Sequence, residues 1–208
     1  SAAGIITVNS PAGSTSVVTL TGPNGSVTKT IVNDGTDKPV VLTPADLVTL
    51  GDGAVEVTTV TTDTAGNVTT TADTQVGGDG DFVLDTAAPL VTVTAVGDGN
   101  KTDTEATSAA GIITVNSAAG STSVVTLVGA NGGIVTKTIV NNGTAQPVVL
   151  TPDDLVTLGD GAVEVTTVTT DTAGNVTTTA DTQVGGDGDF ILDTAAPIVV
   201  VTAVGDGN

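Results

Sequence analysis

"AVEVTTVTTDTAGNVTTTADTQV" occupies residues 54–76 and returns unchanged at residues 162–184. Both arms of this stretch are rich in Val and Thr, whose branched Cβ atoms restrict χ1 and suit a pleated surface. Between the arms stands Asp-Thr-Ala-Gly-Asn, a run of residues that favour turns. The stretch therefore reads as a strand, a tight turn and a second strand.

The rest of the chain is organised around the same duplication. "SAAGIITVNS" begins at Ser1 and again at Ser108, and "TTDTAGNVTTTADTQVGGDGDF" begins at Thr61 and again at Thr169. The offset grows by one residue between the two matches. The insertion falls where "PNGSV" (23–27) becomes "ANGGIV" (130–135). A period of this length corresponds to one small domain per copy, not to a helical solenoid.

In the second copy, further strands are predicted at residues 90–96, 111–116, 123–128, 134–140, 147–151 and 190–193, with turn signals between them. Short strands at this spacing point to an all-β sandwich. "TPDDLVTLG" (151–159) is the one segment read as helical, with Thr151 as N-cap and Pro152 in the first helical position.

Composition narrows the chemistry. The 208 residues carry a net charge of −19 and only four cations, all lysine. No basic surface exists to meet a phosphate backbone or an anionic membrane. Cys, His, Met, Trp and Tyr are absent. Cysteine and histidine nucleophiles, an imidazole base, a serine triad, and zinc or iron–sulfur sites are thereby excluded. Paired carboxylates could in principle cleave glycosides, but no aromatic platform accompanies them. Phe82 and Phe190 are the only aromatics, so the core must be built from Val, Ile, Leu and Ala. A thin core in a small domain commonly needs help from a metal.

"LDTAAP", then "GDGN" followed by an acidic run, then "TPADL" and "TDTAGN", resembles the bacterial Ig-like extender repeats of giant RTX- and BapA-type surface adhesins. The resemblance spans essentially the whole chain. It implies tandem Ig-like Greek-key sandwiches of about seven strands, arranged end to end, in a secreted protein on a bacterial surface. In such modules the "DTxAP" element opens a domain and the run after its proline is the first strand. Residues 1–87 then form a repeat without its first strand, and residues 88–195 form a complete repeat. Residues 196–208 form the first strand of a third. That exposed strand is expected to pair with the open edge of a neighbouring molecule.

Loops of an Ig topology alternate between the two ends of the sandwich, which gathers sequence-distant acids at the junctions. Asp79, Asp81 and Asp85 are expected to approach Asp171 and Asn175 of the next domain. Asp98, Asn100, Asp103 and Glu105 are expected beside Asp160 and Asp193 of their own domain. Asp63, Asn67, Asp187 and Asp189 occupy the equivalent positions of the other copy. Clustered carboxylates repel unless a cation bridges them, and oxygen ligands of this kind suit Ca²⁺. Neither familiar calcium loop is present. The run from Asp98 has Asp103 where an EF-hand needs Gly, and the run from Gly77 has Phe82 where an RTX nonapeptide needs Asp. Asp and Asn beside Gly are also ordinary turn residues. Glu56 and Glu164, within strands, and Asp46 and Asp154, in the helical turn, are read as surface charge or caps.

The function expected is that of an extender. Ca²⁺ would rigidify each junction, so that the array projects a distal ligand-binding region. The alternatives are a ligand-binding module for ice or glycan, using threonine arrays, and homotypic adhesion between repeats.

Overall fold

The structure is a computed structural model and describes residues 4–72, 80–180 and 189–202. The chain divides into two units, Ser1–Ala87 and Ala88–Asn208.

The first unit contains β1 (Ile6–Val8), β2 (Thr15–Thr21), β3 (Ser26–Val32), β4 (Lys38–Val40), α1 (Pro44–Leu50), β5 (Gly53–Thr62), β6 (Val68–Ala72) and β7 (Phe82–Leu84). β1 pairs with β4 in one sheet. In the other sheet β2 lies between β3 and β5, and β5 also pairs with β6 and β7.

The second unit repeats this plan and adds to it. Its elements are β8 (Val91–Ala95), β9 (Asn100–Lys101), α2 (Asp103–Ala106), β10 (Ile113–Ser117), β11 (Thr122–Gly129), β12 (Ile134–Val140) and β13 (Gln146–Val148). Then follow α3 (Pro152–Leu158), β14 (Gly161–Thr170), β15 (Val176–Ala180) and β16 (Phe190–Leu192). One sheet has the order β13-β10-β8, and the other runs β12-β11-β14-β16-β9 with β15 also on β14. Consecutive strands cross repeatedly between the sheets, giving an all-β Greek-key sandwich.

Period-two alternation builds the core. On β11 every second side chain is buried, including Val125 and Leu127, and on β14 Val163 and Val165 point the same way. They meet Ile113 and Val115 of β10 and Val148 of β13 across the sandwich. Val18, Leu20, Val55, Val57 and Val40 repeat this arrangement in the first unit.

Each sandwich also encloses a polar knot. Asn141 Nδ2 donates to Ser121 Oγ at 3.0 Å and Ser123 Oγ at 2.8 Å, and Ser123 Oγ lies 2.7 Å from Thr169 Oγ1. Asn33, Ser14, Ser16 and Thr61 reproduce it. The amide links hydroxyls that also bond elsewhere, as Ser121 Oγ does in donating to Ala118 O at 2.7 Å.

The helices at 44–50 and 152–158 form as their caps predict. Thr151 Oγ1 accepts from the Asp154 N–H at 3.3 Å, while Asp154 Oδ2 accepts from the Thr151 N–H at 2.6 Å. Gly159 ends α3 at φ 66°, a left-handed conformation that glycine adopts without strain.

Three features differ from the sequence expectation. A second type of helix, α2, is present, and "TDTE" is its capping box. β9 is a two-residue strand lying parallel to β16. Residues 197–202, expected as a strand, carry no ladder partner. Strand pairing is what defines a strand, and among the described residues they have none.

Replacing Asn141 by Ala removes the amide that joins Ser121 Oγ and Ser123 Oγ in a buried site and is expected to destabilise the second unit by about 1–3 kcal/mol. Chemical denaturation followed by circular dichroism measures the loss.

Candidate functional site

The acidic side chains collect in loops at the ends of each sandwich, and most are held by their own backbone. Asp63 organises the turn after β5. Its Oδ1 accepts from the Ala65 and Asn67 N–H groups, each at 2.8 Å, and its Oδ2 accepts from Asn67 Nδ2 at 2.8 Å. Asp171 does the same with Ala173, Asn175 and Asn175 Nδ2 at 2.9, 2.8 and 3.0 Å. The Asn side-chain amide, followed by the loop N–H groups, holds each carboxyl below its ordinary range. The "DTAGN" element is thus a closed Asx-type loop in which the Asn turns its amide nitrogen toward the Asp.

At another set of loops, the turn before the long strand meets the exit of the last one. Asp160 Oδ1 accepts from Thr194 N and Oγ1, both at 2.8 Å. Asp52 does so with Thr86 at 2.9 and 2.7 Å. The Thr194 backbone N–H and then its hydroxyl keep the Asp160 carboxyl low. Asp85 and Asp193, one residue earlier, cap the N–H groups of Ala87 and Ala195 at 3.1 Å.

β9 brings the acidic run after β8 to this same end of the second unit. Ile191 N donates to Gly99 O at 2.8 Å and Asp193 N to Lys101 O at 2.9 Å. Asn100 therefore lies in, and Asp98 and Asp103 flank, a strand that runs beside β16 toward Asp193 and Asp160. Individual roles within the run are local. Asp98 Oδ1 accepts from Asn100 N at 3.2 Å, and Asp103 Oδ1 accepts from Thr104 N at 2.6 Å. Glu105 Oε2 accepts from Thr102 N at 2.9 Å as the acidic member of the α2 capping box, and that backbone bond lowers its pKa.

Lys101 is the residue beside these acids that the sequence reading left without a place. It is only 3% exposed, its ammonium bonds the Asp98 carbonyl, and it stands 4.0 Å from Asp98 Oδ1. The acidic run thus contains its own buried cation. The signal available was its position as the single lysine inside an acidic stretch.

Asp81 and Asp189 lie deeper. Asp189 is 5% exposed, and its Oδ1 accepts from Val165 N at 2.7 Å. Asp81 Oδ1 accepts from Val57 N at the same distance. Each carboxylate continues the ladder of the last strand where its backbone has left the sheet. Asp81 Oδ2 is buried with no hydrogen-bond partner among the described residues. Asp79 and Asp187 lie outside the described residues. Among the described residues, no three carboxylates of this chain converge closely enough to hold a metal ion.

The caps read from sequence at Asp46 and Asp154 are ion-paired as well. Lys29 Nζ meets Asp46 Oδ2 at 2.6 Å, and Lys137 Nζ meets Asp154 Oδ2 at 2.5 Å. Lys29, then the Thr43 N–H and hydroxyl, lower the Asp46 carboxyl to about 2. Burial pushes Asp154 upward, but Lys137 and Thr151 together outweigh it and the net shift is downward.

No protein-family model and no curated protein sequence matches the chain. Among solved structures, a tetra-tandem repeat from the extending region of a large adhesion protein is similar over 92% of this chain and 47% of its own, at 21% identity and a TM-score of 0.40. A structure from a study of host cell surface retention of a 1.5-MDa bacterial ice-binding adhesin is similar over 91% of this chain and 57% of its own, at 24% identity and a TM-score of 0.34. The chain thus spans about half the length of the structures it matches.

Acid should expose the capping carboxylates. A depressed folded pKa contributes stability that is complete above the ordinary value and is lost as pH falls through the folded value. For Asp46 that window runs from 3.8 down to about 2. With only four lysines, little charge repulsion remains at pH 2 to confound the result. The melting temperature is expected to fall between pH 4 and pH 2, and to fall less in Asp46→Asn. Thermal scans across that range decide it.

Proposed function

We propose that the chain is a structural extender. In this reading it belongs to a tandem array of β-sandwich modules in a long bacterial surface adhesin, outside the cell, and the array holds a distal ligand-binding region away from the surface. The observation that carries this reading is the construction of one sandwich twice in succession, with the same end-loop carboxylates in both copies. Asp52, Asp63, Asp81 and Asp85 in the first unit have counterparts Asp160, Asp171, Asp189 and Asp193 in the second. The absence of Cys and His from the sequence, together with the small number of cations, supports a non-enzymatic role.

Ca²⁺ is the ion we assign to the junctions. The donors are all oxygen, as a hard cation requires. Asp81 Oδ2, a buried carboxylate oxygen without a donor among the described residues, is the kind of atom such an ion satisfies. In this proposal Asp79, Asp81 and Asp85 are ligands contributed by the first unit, and Asp171 and Asn175 are ligands contributed by the second. Asp98, Asn100 and Asp103 serve a separate site with Asp160 and Asp193. Lys101 supplies part of the neutralising charge at that site, so fewer ions are needed there. The ion would turn a linker of mutually repelling charges into a fixed joint.

Sites with dissociation constants of ~10⁻⁴–10⁻³ M stabilise by about 1.4–2.7 kcal/mol each at ~10 mM free calcium. The melting temperature is expected to rise by several degrees with calcium and to return with chelator. Small-angle scattering should show a stiffer particle in calcium. Identical melting and scattering curves in the two conditions would remove the ion from the proposal.

A further inference from the structure

Asn-Gly occurs three times in the chain, at 24–25, 131–132 and 142–143. A side-chain amide that precedes glycine is open to attack by the next backbone nitrogen, because no Cβ shields that nitrogen. Two of the three pairs are engaged elsewhere. Asn24 and Asn131 lay their amides over Gly51 and Gly159, where an added Cβ would stand 2.3 and 2.5 Å from the amide nitrogen. The Gly132 N–H also donates to Gly129 O at 2.8 Å.

The third pair lies in the loop between β12 and β13, and Asn142, Gly143 and Thr144 are all exposed there. Asn142 Oδ1 accepts from Thr144 N at 3.0 Å, from Thr144 Oγ1 at 2.7 Å and from Gln146 Nε2 at 2.7 Å. Gln146 Nε2 also donates to Thr144 Oγ1 at 3.1 Å, which turns the hydroxyl proton toward Asn142. The Gly143 N–H has no acceptor among the described residues. Three donors therefore converge on the oxygen of the one amide whose following N–H is unengaged and whose side chain is not packed on a glycine. Donors so placed stabilise negative charge that develops on a carbonyl oxygen.

We propose that Asn142 is a self-modification site, at which the folded loop promotes deamidation with water as the only co-reactant. The Gly143 N–H gives its proton to a base in solvent, and the nitrogen forms a bond to Asn142 Cγ. Charge that develops on Oδ1 is held by the Thr144 N–H, the Thr144 hydroxyl and the Gln146 amide. The Cγ–Nδ2 bond then breaks, and Nδ2 leaves as ammonia with protons taken from solvent. Water opens the cyclic imide that remains. Opening at Cγ gives aspartate, and opening at the Asn142 main-chain carbonyl gives isoaspartate, with the backbone rerouted through the side chain. Nothing is oxidised or reduced.

The first unit shows that the loop accommodates the aspartate product. Asp34 stands at the position of Asn142 and accepts the same bonds, from Thr36 N at 3.0 Å and Thr36 Oγ1 at 2.6 Å. Its third donor is the Lys38 ammonium, whereas the second unit has neutral Gln146 there, so the new carboxylate gains no cation. Isoaspartate disturbs more. It lengthens the backbone directly after Asn141, whose amide joins Ser121 to Ser123 inside the sandwich. The site concerns one loop and stands independently of the extender reading.

Cleavage after Lys29, Lys101 and Lys137 puts each Asn-Gly pair in its own peptide, 1–29, 102–137 and 138–208. The whole chain is incubated at mildly alkaline pH, native or in urea, and the peptides are followed by mass spectrometry. In the native chain, peptide 138–208 is expected to exchange amide for acid several-fold faster than the other two, and several-fold faster than it does in urea. Thr144→Val and Gln146→Leu each remove a donor, and are expected to slow the native reaction while leaving the rate in urea unchanged. Asn142→Asp is expected to abolish the exchange in that peptide, which assigns it to this residue and not to Asn175. The proposal is overturned if peptide 138–208 reacts no faster folded than in urea, if the other two peptides keep pace with it, or if the Thr144 and Gln146 variants react like the parent.

Discussion

The pairing of β11 with β14, and of β2 with β5, is the contact on which each sandwich depends. In the second unit it runs in unbroken register from Thr122 opposite Thr170 to Gly129 opposite Val163. A slip of one residue between them would turn either Val125 and Leu127 or Val163 and Val165 outward, because side chains alternate with a period of two. With only two phenylalanines in the chain, no large ring could compensate for such a slip. The long central pair therefore fixes the core. Its ends fix where the "DTAGN" and "GDG" loops emerge, and with them where the carboxylates stand.

Carboxylates in this protein act first on the backbone. Asp81 and Asp189 extend a ladder, Asp52 and Asp160 tie the last strand to the preceding turn, and Asp63 and Asp171 close a loop. A net charge of −19 is tolerated in so small a core partly because these charges accept hydrogen bonds from N–H groups whose dipoles favour them. The same hydrogen bonds fix the orientation of these carboxylates within their loops.

The β-sandwich was legible in the sequence because alternation, β-branching and turn residues agree with one another along every long strand. The capped helices were legible for the same reason: Thr, Pro and Asp occupy the positions that the backbone demands. α2 escaped because "TDTE" satisfies a capping box and also looks like a ligand loop, and the carboxylates were given to the second reading. β9 escaped because two residues carry no periodicity. The placement of Lys101 is a tertiary outcome, set by the parallel contact of β9 with β16, and no local pattern encodes it. Burial of Thr167 and Thr169, against the usual preference of threonine for a half-exposed strand face, likewise follows from what lies above them.

The parallel contact between β9 and β16 has a mechanical meaning. β9 follows the strand that opens the second unit, and β16 is the strand that closes it, so tension applied to the two ends reaches both strands. Because they run parallel, that tension slides one along the other. The bonds from Ile191 to Gly99 and from Asp193 to Lys101 are then loaded together, in shear, rather than opened one at a time. A module built this way resists stretching between β9 and β16, with Lys101 buried beside the bonds that carry the load.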